Sequence, residues 1–241
     1  MQIHNKEVLN RWAEIAIDYD KFRPLPPEKL ITLLVNLTGL KILDLVVDLG
    51  CGTGLSSRPW SNHAKQIIGL DPSIDMLEIA KRNTSNSNVV YQQGYGNNTQ
   101  LESTVADIVT CSSSIHWMEP ETTIDEIKRI LKKKGMLVIY AYNWPPLTKY
   151  LELDNEYFIF KKNYNKFIRE FNLNEGFYKP IGEFATLLNN RTIYKYYREF
   201  YFHEQQYWNA QQYRLALFAW RCSEIINSKY QRRSIPFNFF D

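Results

Sequence analysis

Glycines at positions 50, 52 and 54 and an aspartate at position 71 have the spacing of a ligand-binding loop. The segment Val47–Gly54 has the sequence VDLGCGTG, in which an apolar run typical of a buried strand leads directly into the glycines. Glycine lets the backbone turn tightly and lets a ligand approach main-chain N–H groups without an intervening Cβ. Asp71 follows a second apolar run, 21 residues after Gly50, where a carboxylate can accept hydrogen bonds from both hydroxyls of a ribose. These residue types favour a nucleoside site.

The spacing of the glycines distinguishes two kinds of nucleoside site. The dinucleotide fingerprint G-x-G-x-x-G requires its third glycine at position 55, where this chain has Leu55. The pattern G-x-G-x-G therefore favours a nucleoside without a pyrophosphate and disfavours a nicotinamide dehydrogenase. The alternative without a ligand is a tight strand–helix turn in which Asp71 caps a helix. Because strand, glycines, helix, second strand and acid all occur in register, we favour the ligand site.

The elements that position this loop follow from the apolar pattern. Apolar spacing predicts helices over 28–37, from about Leu55, over 74–82 and from Pro120, and apolar runs predict strands over 45–49, 66–70, 89–91, 107–111 and 136–142. Lys132–Lys134 are predicted at the C-terminus of the last of these helices, with Gly135 as its left-handed cap. Strands that alternate with helices predict a parallel sheet, which brings the loops after the strands to one edge.

The motif residues resemble those of a known family. The segments Asp48–Gly54 and Gly69–Ser73 are similar to the class I S-adenosylmethionine-dependent methyltransferases over about residues 15–145. Tyr19–Pro24 and Ser114–Trp117 resemble, more narrowly, the trans-aconitate methyltransferase-like branch, which methylates small molecules, including carboxylic acids. The resemblance implies a Rossmann-like α/β fold with a seven-stranded, mostly parallel sheet, an antiparallel last strand and a helical lid inserted after strand five.

The resemblance also implies S-adenosyl-L-methionine as the cofactor. The implied and motif-based cofactor contacts are Tyr19, Arg23, Gly50, Cys51, Gly52, Gly54, Asp71, Pro72, Met76, Gly94, Tyr95, Ser112 and Ser113. Members of the family commonly carry an acid after the third strand, whereas this chain has Gln93–Asn97, QGYGN, at that place. Contacts to the adenine would therefore come from the backbone or from ring stacking.

Residues after the fourth and fifth strands are candidates for the acceptor site. His116 could act as a catalytic base or donate a hydrogen bond to the substrate, and Trp117 could line the pocket near the sulfonium. Tyr142 and Trp144 are the other predicted substrate contacts. For His116 and Trp117, a packed loop histidine and a core indole are the alternatives. A carboxylate acceptor would need no base.

The C-terminal part of the chain differs in composition from the rest. Of the 35 aromatic residues, 28 lie in residues 140–241, and residues 161–241 carry 13 basic residues against 7 acidic ones. Residues 147–190 look helical, Thr192–Phe202 fits a strand, Gln205–Cys222 fits a helix, and 235–239 fits a short last strand. We therefore divide the chain into N-terminal helices with an S-adenosylmethionine-binding core (1–144), a helical substrate cap (145–191) and a C-terminal part of the core sheet and helix (192–241).

Composition and charge limit the classes of partner. A chain with 44% hydrophobic and 23% charged residues has the balance of a globular protein, and a net charge of +3 is weak for a nucleic-acid partner. We expect a cytoplasmic protein, monomeric or homodimeric, that binds a small-molecule methyl acceptor and no metal, nucleic acid or membrane. The hypotheses kept beside the small-molecule enzyme are a non-catalytic nucleoside-binding protein and an RNA methyltransferase.

Overall fold

A computed structural model of the chain describes residues 16–17, 19–21, 23–142, 148–170, 197–202, 207 and 209. These residues fall into two compact units. The first unit contains the described residues up to Tyr142 together with 197–202, and the second contains 148–170, 207 and 209. Within these residues, every helix is too short or too polar to span a lipid bilayer.

A parallel sheet forms the centre of the first unit. Its described strands are β1 (Leu43–Leu49), β2 (Ala64–Asp71), β3 (Val89–Gln93), β4 (Ala106–Ser112) and β5 (Leu131–Tyr140), in the spatial order β3-β2-β1-β4-β5. In β1, Val47 pairs with Ile68 of β2 on one side and with Val109 of β4 on the other. The order of the strands reverses between β1 and β4, where ligands bind in open parallel sheets.

Three α-helices of the first unit precede or separate the strands. They are α1 (Glu28–Thr38), α2 (Ile74–Arg82) and α3 (Pro120–Ile130), with short 3-10 helices at Arg58–Asn62 and Ile115–Trp117. Gly39 ends α1 with a φ of 71°, and the Ser73 hydroxyl at the N-terminus of α2 accepts a hydrogen bond from the Met76 amide at 3.4 Å. The predicted helices over 28–37 and 74–82 and the start of α3 at Pro120 are confirmed. The second unit contains α4 (Leu151–Glu170).

Both faces of β1 are buried, as the run of apolar residues predicts. Val46 contributes to one hydrophobic cluster, which includes Ile31 of α1, and Val47 contributes to the other, which includes Ile124 of α3. These side chains are at most 1% exposed, and complete burial of one such side chain contributes about 1.5–3 kcal/mol. The packing on both faces fixes the position at which β1 ends and the glycine loop begins.

The prediction of seven strands with an antiparallel last strand is not met by the described residues, which form five strands, all parallel. Within the predicted strand Thr192–Phe202, residues 197–202 are described and lie outside any strand. The prediction rested on aromatic density, which is equally compatible with extended, unpaired backbone. The predicted last strand over 235–239 lies outside the described residues.

The predicted end of α3 at Lys132–Lys134 is also wrong. The helix ends at Ile130, and Lys132–Gly135 belong to β5, at an irregularity in its pairing with β4. The Lys132 ammonium donates hydrogen bonds to the carboxylates of Asp44 and Asp107, each at 2.8 Å, at the amino ends of β1 and β4. These two carboxylates hold Lys132 near the start of β5. Gly135 lies within the strand and does not cap a helix.

The predicted helix from about Leu55 is replaced by turns and a 3-10 helix, Arg58–Asn62. Pro59 has no N–H to donate to the carbonyl of Leu55, so an α-helix through this stretch would lose a backbone hydrogen bond. Ser56 and Ser57 instead donate hydrogen bonds through their hydroxyls to the Asp48 carboxylate, both at 2.6 Å. These bonds join the turn to the buried end of β1.

Candidate functional site

A cavity lies at the carboxyl ends of β1, β2 and β4, beside the point where the strand order reverses. Most of the predicted site residues line it: Tyr19, Arg23, Gly50, Cys51, Gly52, Asp71, Pro72, Met76, Gly94, Tyr95, Ser112, Ser113, Trp117 and Tyr142. Their binding roles remain predictions. Their convergence on one cavity follows from the parallel sheet, since all of its strands end at the same edge.

The glycine loop has a backbone that other residues adopt only at a cost. Gly50 has a φ of 69° and Gly52 a φ of 53°, both in the left-handed region. A Cβ added at Gly50 would lie 2.5 Å from the Cβ of Ser114, so no side chain fits there without a shift. The Gly50 amide donates to the Leu70 carbonyl at 2.7 Å, which holds the loop against the end of β2.

The Asp71 carboxylate joins the glycine loop to the start of α2. Its Oδ2 accepts a hydrogen bond from the Gly52 amide and its Oδ1 accepts one from the Ser73 amide, both at 2.9 Å. Burial raises the pKa of Asp71 to about 6, against the lowering effect of the two amides. Each carboxylate oxygen has a second lone pair, so Asp71 can also accept hydrogen bonds from a ligand in the cavity.

A second carboxylate, that of Asp48, stabilises the turn that follows the glycine loop. Asp48 is fully buried, and its carboxylate accepts the two hydroxyl hydrogen bonds from Ser56 and Ser57. Burial raises the pKa of Asp48 to about 6. The position is thus poorly solvated, and the two serines supply donors in place of water.

Cys51, between two glycines of the loop, does not have the properties of a nucleophile. The thiol is 4% exposed, and burial, followed by the charges of Asp71 and Asp48, raises its pKa well above the usual range. Since the thiolate is the reactive form, Cys51 stays unreactive at neutral pH. Its small side chain lines the cavity.

Gly54, a predicted cofactor contact, does not line the cavity. Its φ is 80°, and a Cβ there would overlap the ring and hydroxyl of Tyr91. The same ring lies 2.7 Å from where a Cβ of Gly69 would be, and the Tyr91 hydroxyl is 2.9 Å from the Thr84 hydroxyl. Gly54 therefore makes room for a packed tyrosine that supports the loop, and this need depends on a residue 37 positions away in the sequence.

The segment before α1 forms another wall of the cavity. Tyr19 and Arg23 line it, as predicted, and Pro24 and Pro26 do so as well. The Arg23 guanidinium lies 4.9 Å from the centre of the Tyr19 ring, within cation–π range. The Arg23 amide donates to the Tyr19 carbonyl at 3.0 Å, so one turn of backbone holds the two side chains together.

The loop after β4 closes the cavity near the glycine loop. The Ser114 hydroxyl donates a hydrogen bond to the Leu49 carbonyl at 2.6 Å, across 65 residues of sequence. The Met118 side chain lies between two loops, since its Cε is 3.1 Å from a Cβ built at Gly50 and its Sδ is 2.6 Å from one built at Gly96. Small residues at 50 and 96 therefore make room for a methionine in the wall.

The predicted acceptor residues are only partly brought together. Trp117 and Tyr142 line the cavity, whereas His116 does not, although its ring centre is 5.2 Å from that of Trp117. A role for His116 as a base thus has no support from its position, and it remains a prediction. Trp144 lies outside the described residues.

Several cavity residues were not among the contacts predicted from the sequence: Pro24, Pro26, Leu55, Ser56, Ser73, Gly96 and Met118. Most of them adjoin a predicted residue, so the neighbours of each motif were the available signal. Pro26 and Ser56 carried no such signal, because neither of them adjoins a predicted residue.

Comparison with known proteins assigns this chain to a family. Residues 47–139 match a model described as a methyltransferase domain. A demethylmenaquinone methyltransferase of Lactococcus lactis is 30% identical over 173 residues, which cover 65% of this chain and 67% of the relative. The chain belongs to the class I S-adenosylmethionine-dependent methyltransferases.

Other relatives agree with this membership in the class I methyltransferases. A candidate methyltransferase of Dictyostelium discoideum is 27% identical over 139 residues, 58% of this chain and 51% of the relative. A crystal structure of a candidate S-adenosyl-L-methionine-dependent methyltransferase from Methanococcus maripaludis shares the fold, with a TM-score of 0.52, 22% identity and coverage of 78% of this chain and 84% of that one. The chain spans about half the length of most of the curated relatives it matches.

The cavity fits the cofactor of class I methyltransferases, S-adenosyl-L-methionine. The Asp71 carboxylate has lone pairs for the ribose hydroxyls, and Gly50 and Gly52 of the adjacent loop line the cavity. Arg23 supplies a cation for a carboxylate group, and Met76 an apolar surface. These residues would hold the cofactor, and all of them are among the contacts that the sequence predicts.

We predict that cofactor affinity depends on the protonation of Asp71. Its pKa in the free protein is about 6, and hydroxyl donors of a ligand favour the charged form, so affinity is complete above pH 6 and is lost as the pH falls through 6. Between pH 6 and pH 5 the Kd for S-adenosylhomocysteine should rise by up to about fivefold. Calorimetric titrations at several pH values measure this.

The matched variants for this experiment are Asp71→Asn and Asp48→Asn. Asp71→Asn should bind more weakly at pH 7.5 and show little pH dependence. Asp48→Asn removes the other buried carboxylate and should keep the dependence. A profile that persists in Asp71→Asn would contradict the assignment.

We predict that two glycines with nearly the same φ respond differently to alanine. Gly39 has a φ of 71° and open space around its Cβ position, so Gly39→Ala should lower the free energy of unfolding by about 1–2 kcal/mol through backbone strain alone. Gly50→Ala adds a clash with Ser114 and should lower it further, with a loss of S-adenosylhomocysteine binding. Urea unfolding and calorimetry measure both quantities. Equal destabilisation with intact binding in Gly50→Ala would show that the close approach to Ser114 is unimportant.

Proposed function

We propose that this protein transfers a methyl group from S-adenosyl-L-methionine to a small-molecule acceptor. The observation that carries the proposal is the single cavity that combines Asp71 and the glycine loop with an aromatic wall after β4 and β5. The first part suits a nucleoside, and the second suits the body of an acceptor molecule.

Different loop residues of the cavity would bind different parts of the cofactor. Asp71 would accept hydrogen bonds from the ribose, and Arg23 would pair with the carboxylate of the cofactor. Gly94 and Tyr95 follow β3, line the cavity and would bound the adenine, with the Tyr95 ring stacked on it. This assignment places the reactive end of the cofactor toward Ser112–Ser114 and Trp117.

The acceptor end has walls suited to an apolar or planar molecule. Trp117, Met118 and Tyr142 line it, and each presents a large apolar surface. The Lactococcus relative is named for demethylmenaquinone, a small molecule, and the resemblance to the trans-aconitate methyltransferase-like branch also favours a small acceptor. A carboxylic acid or an aromatic metabolite is the acceptor class that we infer.

The chain has to supply little acid–base chemistry for this reaction. When bound, S-adenosyl-L-methionine supplies a methyl group already activated by a positively charged sulfur. Alignment of donor and acceptor in one cavity can lower a barrier by about 7–11 kcal/mol. An acceptor that is already an anion, such as a carboxylate, leaves no proton for the protein to remove, which agrees with the position of His116 outside the lining.

A turnover assay across acceptor classes tests the proposal. The protein is incubated with S-adenosyl-L-methionine and, separately, small carboxylic acids, phenols, hydroquinones, amines and RNA, and S-adenosylhomocysteine is measured. We expect turnover with one of the small-molecule classes and none with RNA. Binding of S-adenosylhomocysteine without turnover of any acceptor would favour a binding protein, and turnover with RNA alone would contradict the small-molecule assignment.

A variant of the aromatic wall separates acceptor binding from cofactor binding. Trp117→Ala should raise the KM for the acceptor by about tenfold or more, because a large buried contact is lost. The Kd for S-adenosylhomocysteine should change much less. The reverse result, with an affected cofactor and an unaffected acceptor, would move Trp117 to the cofactor end of the cavity.

A further inference from the structure

The segment before α1 contributes four residues to the cavity yet belongs to no strand of the sheet. We refer to its described residues, 19–21 and 23–27, as the N-terminal segment. Tyr19, Arg23, Pro24 and Pro26 line the cavity. The segment can contact the cofactor only while it stays in this position. Interactions that fix the segment there should therefore increase the affinity for the cofactor.

Asp20 links the N-terminal segment to the rest of the first unit through two side-chain hydrogen bonds. Its Oδ1 accepts a hydrogen bond from Arg58 Nη2 at 2.9 Å, and its Oδ2 accepts one from Asn83 Nδ2 at 2.7 Å. The Arg58 and Asp20 side chains are only 18% and 13% exposed. An ion pair shielded from water in this way is stronger than one on an open surface.

Arg58 connects the same segment to the glycine loop. While its Nη2 bonds to Asp20, its Nη1 donates to the Thr53 carbonyl at 2.9 Å. Thr53 lies between Gly52 and Gly54, so one planar guanidinium joins the loop that would hold the cofactor to the segment that would cover it. The rigid fork of arginine suits two fixed acceptors, whereas a lysine ammonium lacks that geometry.

We propose that Asp20 and Arg58 are positioning residues that hold the N-terminal segment closed over the cofactor. Neither side chain lines the cavity, so they act through Tyr19 and Arg23 and through Thr53. Opening of the segment requires loss of the Asp20 bonds to Arg58 and Asn83, so the strength of these bonds contributes to the cofactor's affinity. This inference rests on the proposed function, because it takes S-adenosyl-L-methionine as the ligand of the cavity.

The test uses Asp20→Asn, Arg58→Lys and the double variant. Asparagine at 20 removes the charge and turns an N–H donor toward either Arg58 or Asn83. If the closed form falls to about a tenth of the population, the Kd for S-adenosylhomocysteine rises about tenfold. The double variant should bind about as weakly as either single variant, because both changes break one connection.

Asp44→Asn is the matched control. Asp44 also pairs with two cationic side chains, Lys65 and Lys132, but at the opposite end of β1 from the cavity. The control should leave the Kd unchanged. Thermal unfolding of the ligand-free proteins should show that both variants are fully folded at the temperature of the binding measurement.

Hydrogen exchange of the ligand-free protein gives a readout that does not depend on cofactor binding. The Arg23 amide, bonded to the Tyr19 carbonyl, should exchange faster in Asp20→Asn and Arg58→Lys than in wild type or Asp44→Asn. Unchanged exchange, or a Kd within twofold of wild type in both variants, would overturn the inference. Failure of wild type to bind S-adenosylhomocysteine would instead remove the proposed function, while the exchange result would still decide whether Asp20 holds the segment.

Discussion

The carboxylate of Asp71 is the constraint on which the site depends. It accepts amide hydrogen bonds from Gly52 and Ser73, and so fixes the loop after β1 relative to the helix after β2. A bond of this kind to a charged group contributes about 1.5–3 kcal/mol, and here it also determines where the main-chain N–H groups of the loop lie. The ribose-binding role that we assign to Asp71 uses the lone pairs that remain.

This arrangement has a cost in stability. Burial raises the pKa of both Asp48 and Asp71 to about 6, which means that the folded protein disfavours their charged forms. The left-handed backbone at Gly50 and Gly52 adds a requirement for glycine. The two-sided packing of β1 and the carboxylates that hold Lys132 at the opposite edge of the sheet offset this cost.

The sequence was informative where a feature depends on neighbouring residues. Gly39 and Pro120 mark helix ends through their own backbone preferences, and Asp71 follows its strand directly, so these positions were predictable. Gly54 was predicted to contact the cofactor because it belongs to the glycine motif. Its actual neighbour, the Tyr91 ring, is distant in sequence and could not be inferred from the motif. Lys132–Gly135 resemble a helix end, but their partners, Asp44 and Asp107, are brought close only by the sheet. Asp20 lies in the motif Tyr19–Pro24, but its bond to Arg58 had no signal in the sequence, since the two residues meet only in the folded chain.

The central claim is that Asp71 and the glycine loop bind the nucleoside of S-adenosyl-L-methionine. A crystal structure of the protein grown with S-adenosylhomocysteine tests this most directly. We expect both ribose hydroxyls within hydrogen-bond distance of the Asp71 carboxylate, with the N-terminal segment in contact with the ligand. A nucleoside bound elsewhere, or one in this cavity whose ribose has no contact with Asp71, would contradict it.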